Sequence, residues 1–328
     1  MTEKVLITGI NGFVGSHLAD FITDNSCDIE VHGTIRHWHR SNLENIEFNR
    51  SVELHECNLV DSHNVNELIK TLQPDKVFHL AAQSHVATSW LSPNDTYTTN
   101  IISQSNLFEA IRTHSPETVV LVVGSSEEYG LVHEDETPIT EDNSLRPLSP
   151  YAVSKVAQDM MALQNFHSYG LKVVRTRAFN HSGSRRPAHF VDSSFAKQIA
   201  EIELGLRDPI VKHGNLDAIR DFTHVKDIVR AYWLALEKCE YGDVYNICYG
   251  SGLKISEVLQ RLIKFTDKTI ECEIDQSRMR PSDVPVLVGD CNKFKKVTGW
   301  KPIFDNDDIL RDTYAYWVDK LKENKYVP

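Results

Sequence analysis

The chain has 328 residues, 41% hydrophobic and 25% charged, which supports a sizeable core in two lobes and argues against a wholly disordered chain. Lys plus Arg is 35 and Asp plus Glu is 46, a formal charge of -11. That balance excludes general binding to a nucleic-acid backbone but allows a local basic pocket for a small anion.

Val5 to Thr8 is the first apolar run. It is too short for a signal core, and no later run reaches membrane-spanning length, so a cytoplasmic protein without a membrane partner is expected. Six cysteines without a CxxC pair read as free thiols. Further β-branched runs follow at Glu30–Ile35, Val52–His55, Val77–Leu80, Val119–Val123, Val173–Arg177 and Val244–Ile247. Helix-like stretches lie between them at Val14–Thr23, Asn64–Thr71, Thr99–Thr113 and Tyr151–Ser168. Strands alternating with helices predict an α/β fold, a Rossmann-type parallel sheet with helices on both faces. After Phe179 the rhythm breaks into a polar, basic segment, His181–Pro187, and a helix over Val191–Glu203. A loop is expected over Gly214–Asp221, a helix over Lys226–Lys238, another near Ile255–Phe265, and a basic loop at Arg278-Met279-Arg280-Pro281. The expected division is a dinucleotide-binding domain over 1–178, with 223–250 returning to it. A smaller substrate-binding domain takes 179–222 and 251–328.

The first strand opens into Gly9-Ile10-Asn11-Gly12-Phe13-Val14-Gly15. GxxGxxG between a strand and a helix lets backbone approach a pyrophosphate, with the helix N-terminus facing its charge. The bland alternative is an ordinary glycine-rich turn. The second strand ends at Arg36, where an NAD site usually carries a carboxylate. Arg36, assisted by Arg40, suits a 2'-phosphate, so NADP(H) is favoured over NAD(H), unless Arg36 merely faces solvent. Asn58 and Leu59 suit contact with adenine, and Leu80-Ala81-Ala82-Gln83 would let a cofactor approach the fourth strand end.

Tyr151 and Lys155 form YxxxK at a helix start marked by Pro147 and Pro150. This spacing puts both side chains on one helical face. A phenol's ordinary pKa near 10 needs a nearby ammonium to serve as an acid/base at neutral pH. Ser125 or Ser126 would orient a reacting oxygen. One carboxylate of Glu127 and Glu128 suits a base for a carbon-bound proton; the bland alternatives are an acceptor for a substrate hydroxyl at Glu127 and a solvated residue at Glu128. His79, His85 and His181 make no convincing metal set, and no metal is expected.

These motifs together resemble the extended short-chain dehydrogenase/reductase family over nearly the whole chain. Gln83-Ser84-His85-Val86-Ala87-Thr88-Ser89-Trp90, Phe179-Asn180-His181 and Arg220-Asp221-Phe222 resemble its GDP-mannose branch. That resemblance implies a GDP-linked sugar as substrate, a homodimer or homotetramer, and one of two reactions. The first is NADPH-dependent reduction of the C4 ketone of GDP-4-keto-6-deoxy-D-mannose. The second is the 4,6-dehydration of GDP-mannose that makes this ketone. Gly124 to Gly130 and Arg280 to Pro285 look more like the reductase, while Ala218 and Arg185-Arg186 look more like the dehydratase. Ser125 and Glu127 stand where the dehydratase pattern has Thr and Glu, so that alternative stays open. The resemblance also implies substrate contacts from Ser84, His85, Ser125, Ser126, Glu127 and Asn180, with Lys197, Arg220 and Arg280 around the diphosphate and Asp283 on a ribose. It implies that Arg185 reaches a neighbouring subunit's cofactor.

Overall fold

The computed structural model describes residues 2–38, 43–46, 49, 51–279 and 284–324. Strands β1 (Glu3–Thr8), β2 (Ile29–Ile35), β3 (Val52–Glu56), β4 (Lys76–His79), β5 (Val119–Ser125), β6 (Lys172–Ala178) and β10 (Val244–Ile247) build the main sheet. Its seven strands run β10-β6-β5-β4-β1-β2-β3, all parallel. The order reverses between β1 and β4, and the crevice at the carboxyl ends of strands beside such a switch point is where ligands bind in open α/β sheets.

Alternate residues of β1 explain why both faces are covered. Val5 and Ile7 enter one core with Leu18 and Ile22 of α1 (Phe13–Asn25). Leu6 enters the other, with Val65 and Ile69 of α2 (Ser62–Leu72). Next in chain order come two short helices, α3 (Val86–Leu91) and α4 (Pro93–Tyr97), a π-helical turn over Thr98–Ile102, and α5 (Ser103–His114). The helix expected from Thr99 thus begins as a π turn, because Asn100 points inward to bond Gln83 and Ser154. α6 (Pro150–Tyr169) is capped by the Ser149 hydroxyl, which accepts from Ala152 N at 3.1 Å.

The smaller lobe holds α7 (Val191–Glu203) and a mixed sheet. That sheet comprises β7 (Asn180–Ser182), β9 (Ile219–His224), β11 (Gly252–Lys254) and β13 (Val286–Leu287); β8 (Ile210–His213) pairs separately with β12 (Glu271–Ile274). α8 (Val225–Lys238) leaves β9 and returns to the main core. Phe195 of α7, Leu259 of α9 (Ile255–Ile263) and Trp317 of α11 (Asn306–Asn324) share a separate core; α10 (Asn292–Thr298) precedes α11. The loop expected over Gly214–Asp221 is corrected from Ile219 onward, where a buried strand begins. Its Asp221 carboxylate accepts backbone N–H bonds from Tyr249, Gly250 and Gly289, so a polar residue is satisfied where hydrophobic alternation would otherwise mark a strand. No helix among the described residues is long and apolar enough to cross a membrane.

Candidate active site

A cleft of about 1040 Å³ opens at the switch point. Gly9 has φ +68°, the left-handed region open to glycine, and an added Cβ on Gly15 would stand 2.5 Å from Gly9 O. The turn is therefore closed tightly enough that α1 begins with its first N–H groups at the cleft. No side chain caps that helix end, which is electropositive. Thr8 Oγ1 accepts from Leu80 N and Ala81 N, both at 3.1 Å, and so ties the ends of β1 and β4 together. Gly9, Asn11, Gly12, Phe13, Val14 and Gly15 line the cleft with Arg36, Asn58, Leu59, Leu80, Ala81 and Ala82. An uncapped helix end, a glycine cradle that a Cβ would fill, and a guanidinium at the end of β2 fit a phosphorylated dinucleotide. Gln83 is used differently: its amide bonds Thr96 and both backbone groups of His85, holding the loop instead of lining the cleft.

Ser125, Ser126, Glu127, Tyr151 and Lys155 meet in the same cleft. Tyr151 lies on the first turn of α6 and its hydroxyl is hydrogen-bonded to Ser125. Burial raises its pKa well above the ordinary phenol value, so the hydroxyl is protonated. Lys155 follows one turn later; its Nζ donates to Val123 O at 2.8 Å and lies 6.0 Å from the Tyr151 ring centroid. Burial pulls its pKa down to about 8, against the attraction of Glu128.

Glu128 is fully buried, which corrects the expectation of a solvated residue. Its carboxylate accepts from Ser125 N at 2.7 Å and lies 3.4 Å from Arg177. An added Cβ on Gly124 would sit 2.3 Å from that carboxylate, so glycine is needed for Glu128 to fold under β5. Behind it, Asp159 pairs with Arg175 at 2.7 Å and Arg177 at 2.6 Å. Ser125 is thus held by a buried ionic network and the adjacent capping box.

The opposite wall carries Ser84, His85, Asn180 and Arg220. His181 stacks on Phe13, with centroids 6.0 Å apart, and burial lowers its pKa to about 4. Burial likewise lowers His79 to about 3, so both imidazoles are neutral at pH 7. Lys197, anticipated at the diphosphate, points elsewhere, and Arg185, anticipated at a neighbouring subunit's cofactor, also lies outside this cleft. Arg185 pairs with Asp20 at 2.6 Å, and Lys197 lies 3.5 Å from Glu201; neither lines the cleft. Arg40, Arg280 and Asp283 lie outside the described residues.

Arg186 lines the cleft over the Phe190 ring at 3.7 Å, buried, with its Nε lacking a hydrogen-bond partner. The buried Tyr232 hydroxyl also lines the cleft and lacks one. Both are buried, unsatisfied polar atoms of residues that line the cleft. Arg278 lines the far end, donating to Ser194 Oγ at 2.9 Å. The sequence pointed to the Arg185-Arg186 pair and to the basic 278–281 loop without singling out Arg186 or Arg278.

An open cleft at the switch point, a serine–tyrosine–lysine constellation and a glycine cradle define a dinucleotide-dependent enzyme acting on an alcohol or ketone carbon. The chain belongs to the GDP-mannose 4,6 dehydratase family of extended short-chain dehydrogenases/reductases, whose model matches residues 6–313. It is 31% identical to a GDP-6-deoxy-D-mannose reductase of Pseudomonas aeruginosa, over 98% of this chain and 100% of that protein. It is 32% identical to a GDP-mannose 4,6-dehydratase of Yersinia enterocolitica, over 98% and 95%. The structure of RMD from Pseudomonas aeruginosa complexed with NADPH superposes with a TM-score of 0.84 at 30% identity, over 97% of this chain and 100% of that one.

Proposed function

We propose that this protein reduces the C4 ketone of GDP-4-keto-6-deoxy-D-mannose to GDP-D-rhamnose with NADPH. The observation that carries the choice is the shape of the alignments. The reductase match spans 323 positions for 98% of this chain, whereas the Yersinia dehydratase match needs 361 positions for the same share. The dehydratase match therefore sets many more positions opposite gaps in this chain than the reductase match does.

Arg36 would hold the 2'-phosphate, the α1 N-terminus the pyrophosphate, and Lys155 the nicotinamide ribose. Bound NADPH supplies the hydride that reduces the ketone carbon. Tyr151 donates its hydroxyl proton to the oxygen as negative charge develops there, and the buried, protonated phenol is the form this step needs. Ser125 hydrogen-bonds the same oxygen and fixes its distance from Tyr151. Glu127 accepts a sugar hydroxyl, while Arg186, Arg220 and Arg278 face the diphosphate. In this reading the lobes divide as 1–178 with 223–250, and 179–222 with 251–328. Assembly into a cytoplasmic homodimer or homotetramer belongs to the same reading.

The second reading is dehydration of GDP-mannose, favoured by one feature: Glu127 lines the cleft beside Ser125, where a base for a carbon-bound proton would stand. Incubation with GDP-mannose and NADP+, without NADPH, separates the two. The reductase reading expects unchanged nucleotide sugar by mass spectrometry; loss of one water overturns it.

The pH profile carries a sign. Lys155 keeps its ammonium below about 8 and loses it above, while Tyr151 stays protonated throughout that window. In the free enzyme kcat/KM is therefore expected to fall as pH rises through about 8. A flat profile across that window counts against Lys155 as the titrating group. Arg36→Ala is expected to raise the dissociation constant for NADPH by roughly tenfold or more with little effect on NADH, because a charge-assisted contact to the extra phosphate is lost. Equal weakening of both cofactors by titration calorimetry contradicts that role.

A further inference from the structure

We propose that His32, Glu53 and His55 form a binding site for a divalent transition-metal ion of the zinc class, separate from the active site. The strand register creates it. His32 of β2 pairs with Glu53 of β3, and Thr34 with His55, so the three side chains leave one face of the sheet at its edge. Among the described residues this is the only group of three His, Cys, Asp or Glu ligand atoms brought within 4.8 Å of one another.

The spacings suit a small ion. His32 Nδ1 lies 3.0 Å from His55 Nε2 and 3.7 Å from Glu53 Oε2, and His55 Nε2 lies 3.9 Å from Glu53 Oε1. A tetrahedral ion with bonds of about 2.0–2.1 Å sets its ligand atoms about 3.3 Å apart, so small side-chain rotations close the set. Two imidazoles and one carboxylate favour zinc-like ions over calcium or magnesium, and leave a fourth position for water.

The second observation is the orientation of His32. Its residue is 6% exposed, and Nε2 is buried without a hydrogen-bond partner. That nitrogen faces the Glu30 carboxylate at 3.8 Å. A carboxylate near the outer nitrogen of a ligating histidine favours the tautomer that leaves Nδ1 free for the metal. A hydrogen bond between the two histidines accounts for one nitrogen of each ring. It does not account for two carboxylates converging on His32. The ion would pin the edge strand β3 to β2, a structural role with no step in the reaction.

The test uses the full-length, chelator-treated protein. Zinc ion alone is titrated by calorimetry, and cobalt(II) is added separately to read coordination from its visible absorption. The expected result is one ion per chain, a four- or five-coordinate cobalt spectrum and a thermal midpoint raised by zinc. His55→Gln and Glu53→Gln should each weaken zinc at least about tenfold while leaving the far-ultraviolet circular dichroism unchanged. Glu53 has a side chain 69% exposed, so its replacement tests the site without disturbing the core. No stoichiometric zinc binding by the folded wild-type chain overturns the proposal. So does undiminished binding in the His55→Gln, Glu53→Gln double variant, which would place the ion among other histidines.

Discussion

Tyr151→Phe is expected to lower kcat for ketone reduction by roughly a hundredfold to ten-thousandfold while leaving the NADPH dissociation constant nearly unchanged. The hydroxyl is hydrogen-bonded to Ser125, and burial keeps it protonated. Phenylalanine keeps the ring and the α6 cap geometry and removes only the proton donor. Steady-state turnover measured beside fluorescence titration of NADPH separates the two effects. A loss below about tenfold assigns the proton to another group or to water.

Asp159→Ala carries the largest expected effect on stability. Asp159 lies four residues beyond Lys155 on α6 and is the counter-ion of both Arg175 and Arg177, with all three side chains nearly sealed from solvent. Its removal leaves Arg175 without a carboxylate partner and Arg177 with only Glu128, at 3.4 Å. Breaking a buried pair by deleting one partner costs about 3–5 kcal/mol, because the survivor stays charged and desolvated. A loss within that range is expected. Denaturant unfolding at an unchanged slope reads the loss directly. A change within about 1 kcal/mol contradicts the assignment of Asp159 as the centre of the network. The folded fraction should also turn over more slowly, since Arg177 sits against the Glu128 carboxylate that holds Ser125 N.

What the sequence made legible was local. GxxGxxG needs only a strand before it and a helix after it, and YxxxK needs only helical spacing. Both chemistries are fixed within seven residues of chain. The parallel sheet was legible because its central strands β1, β4 and β5 carry apolar residues on both faces. Where polar groups are buried, the pattern fails. Arg220 and Asp221 are both buried in β9, and their composition reads as a loop. Glu128 reads as solvated because its acceptor role depends on Gly124 and Arg177, one before it and one far along the chain. The two adjacent arginines show the limit most plainly. Arg185 adopts φ +66°, which turns it out to Asp20 while Arg186 turns in over Phe190. That backbone torsion separates the two guanidinium groups, and residue identity carries no trace of it. Likewise Lys197 lies one turn before Glu201, and that helical pairing takes it out of the cleft.

The most direct measurement supplies GDP-4-keto-6-deoxy-D-mannose and NADPH to the purified protein. NADPH absorbance is followed and the nucleotide product weighed by mass spectrometry. The account predicts one NADPH consumed for each sugar that gains two hydrogens, with a product that chromatographs as GDP-D-rhamnose. Unchanged ketone and unspent NADPH, from a folded protein that binds the cofactor, would contradict it.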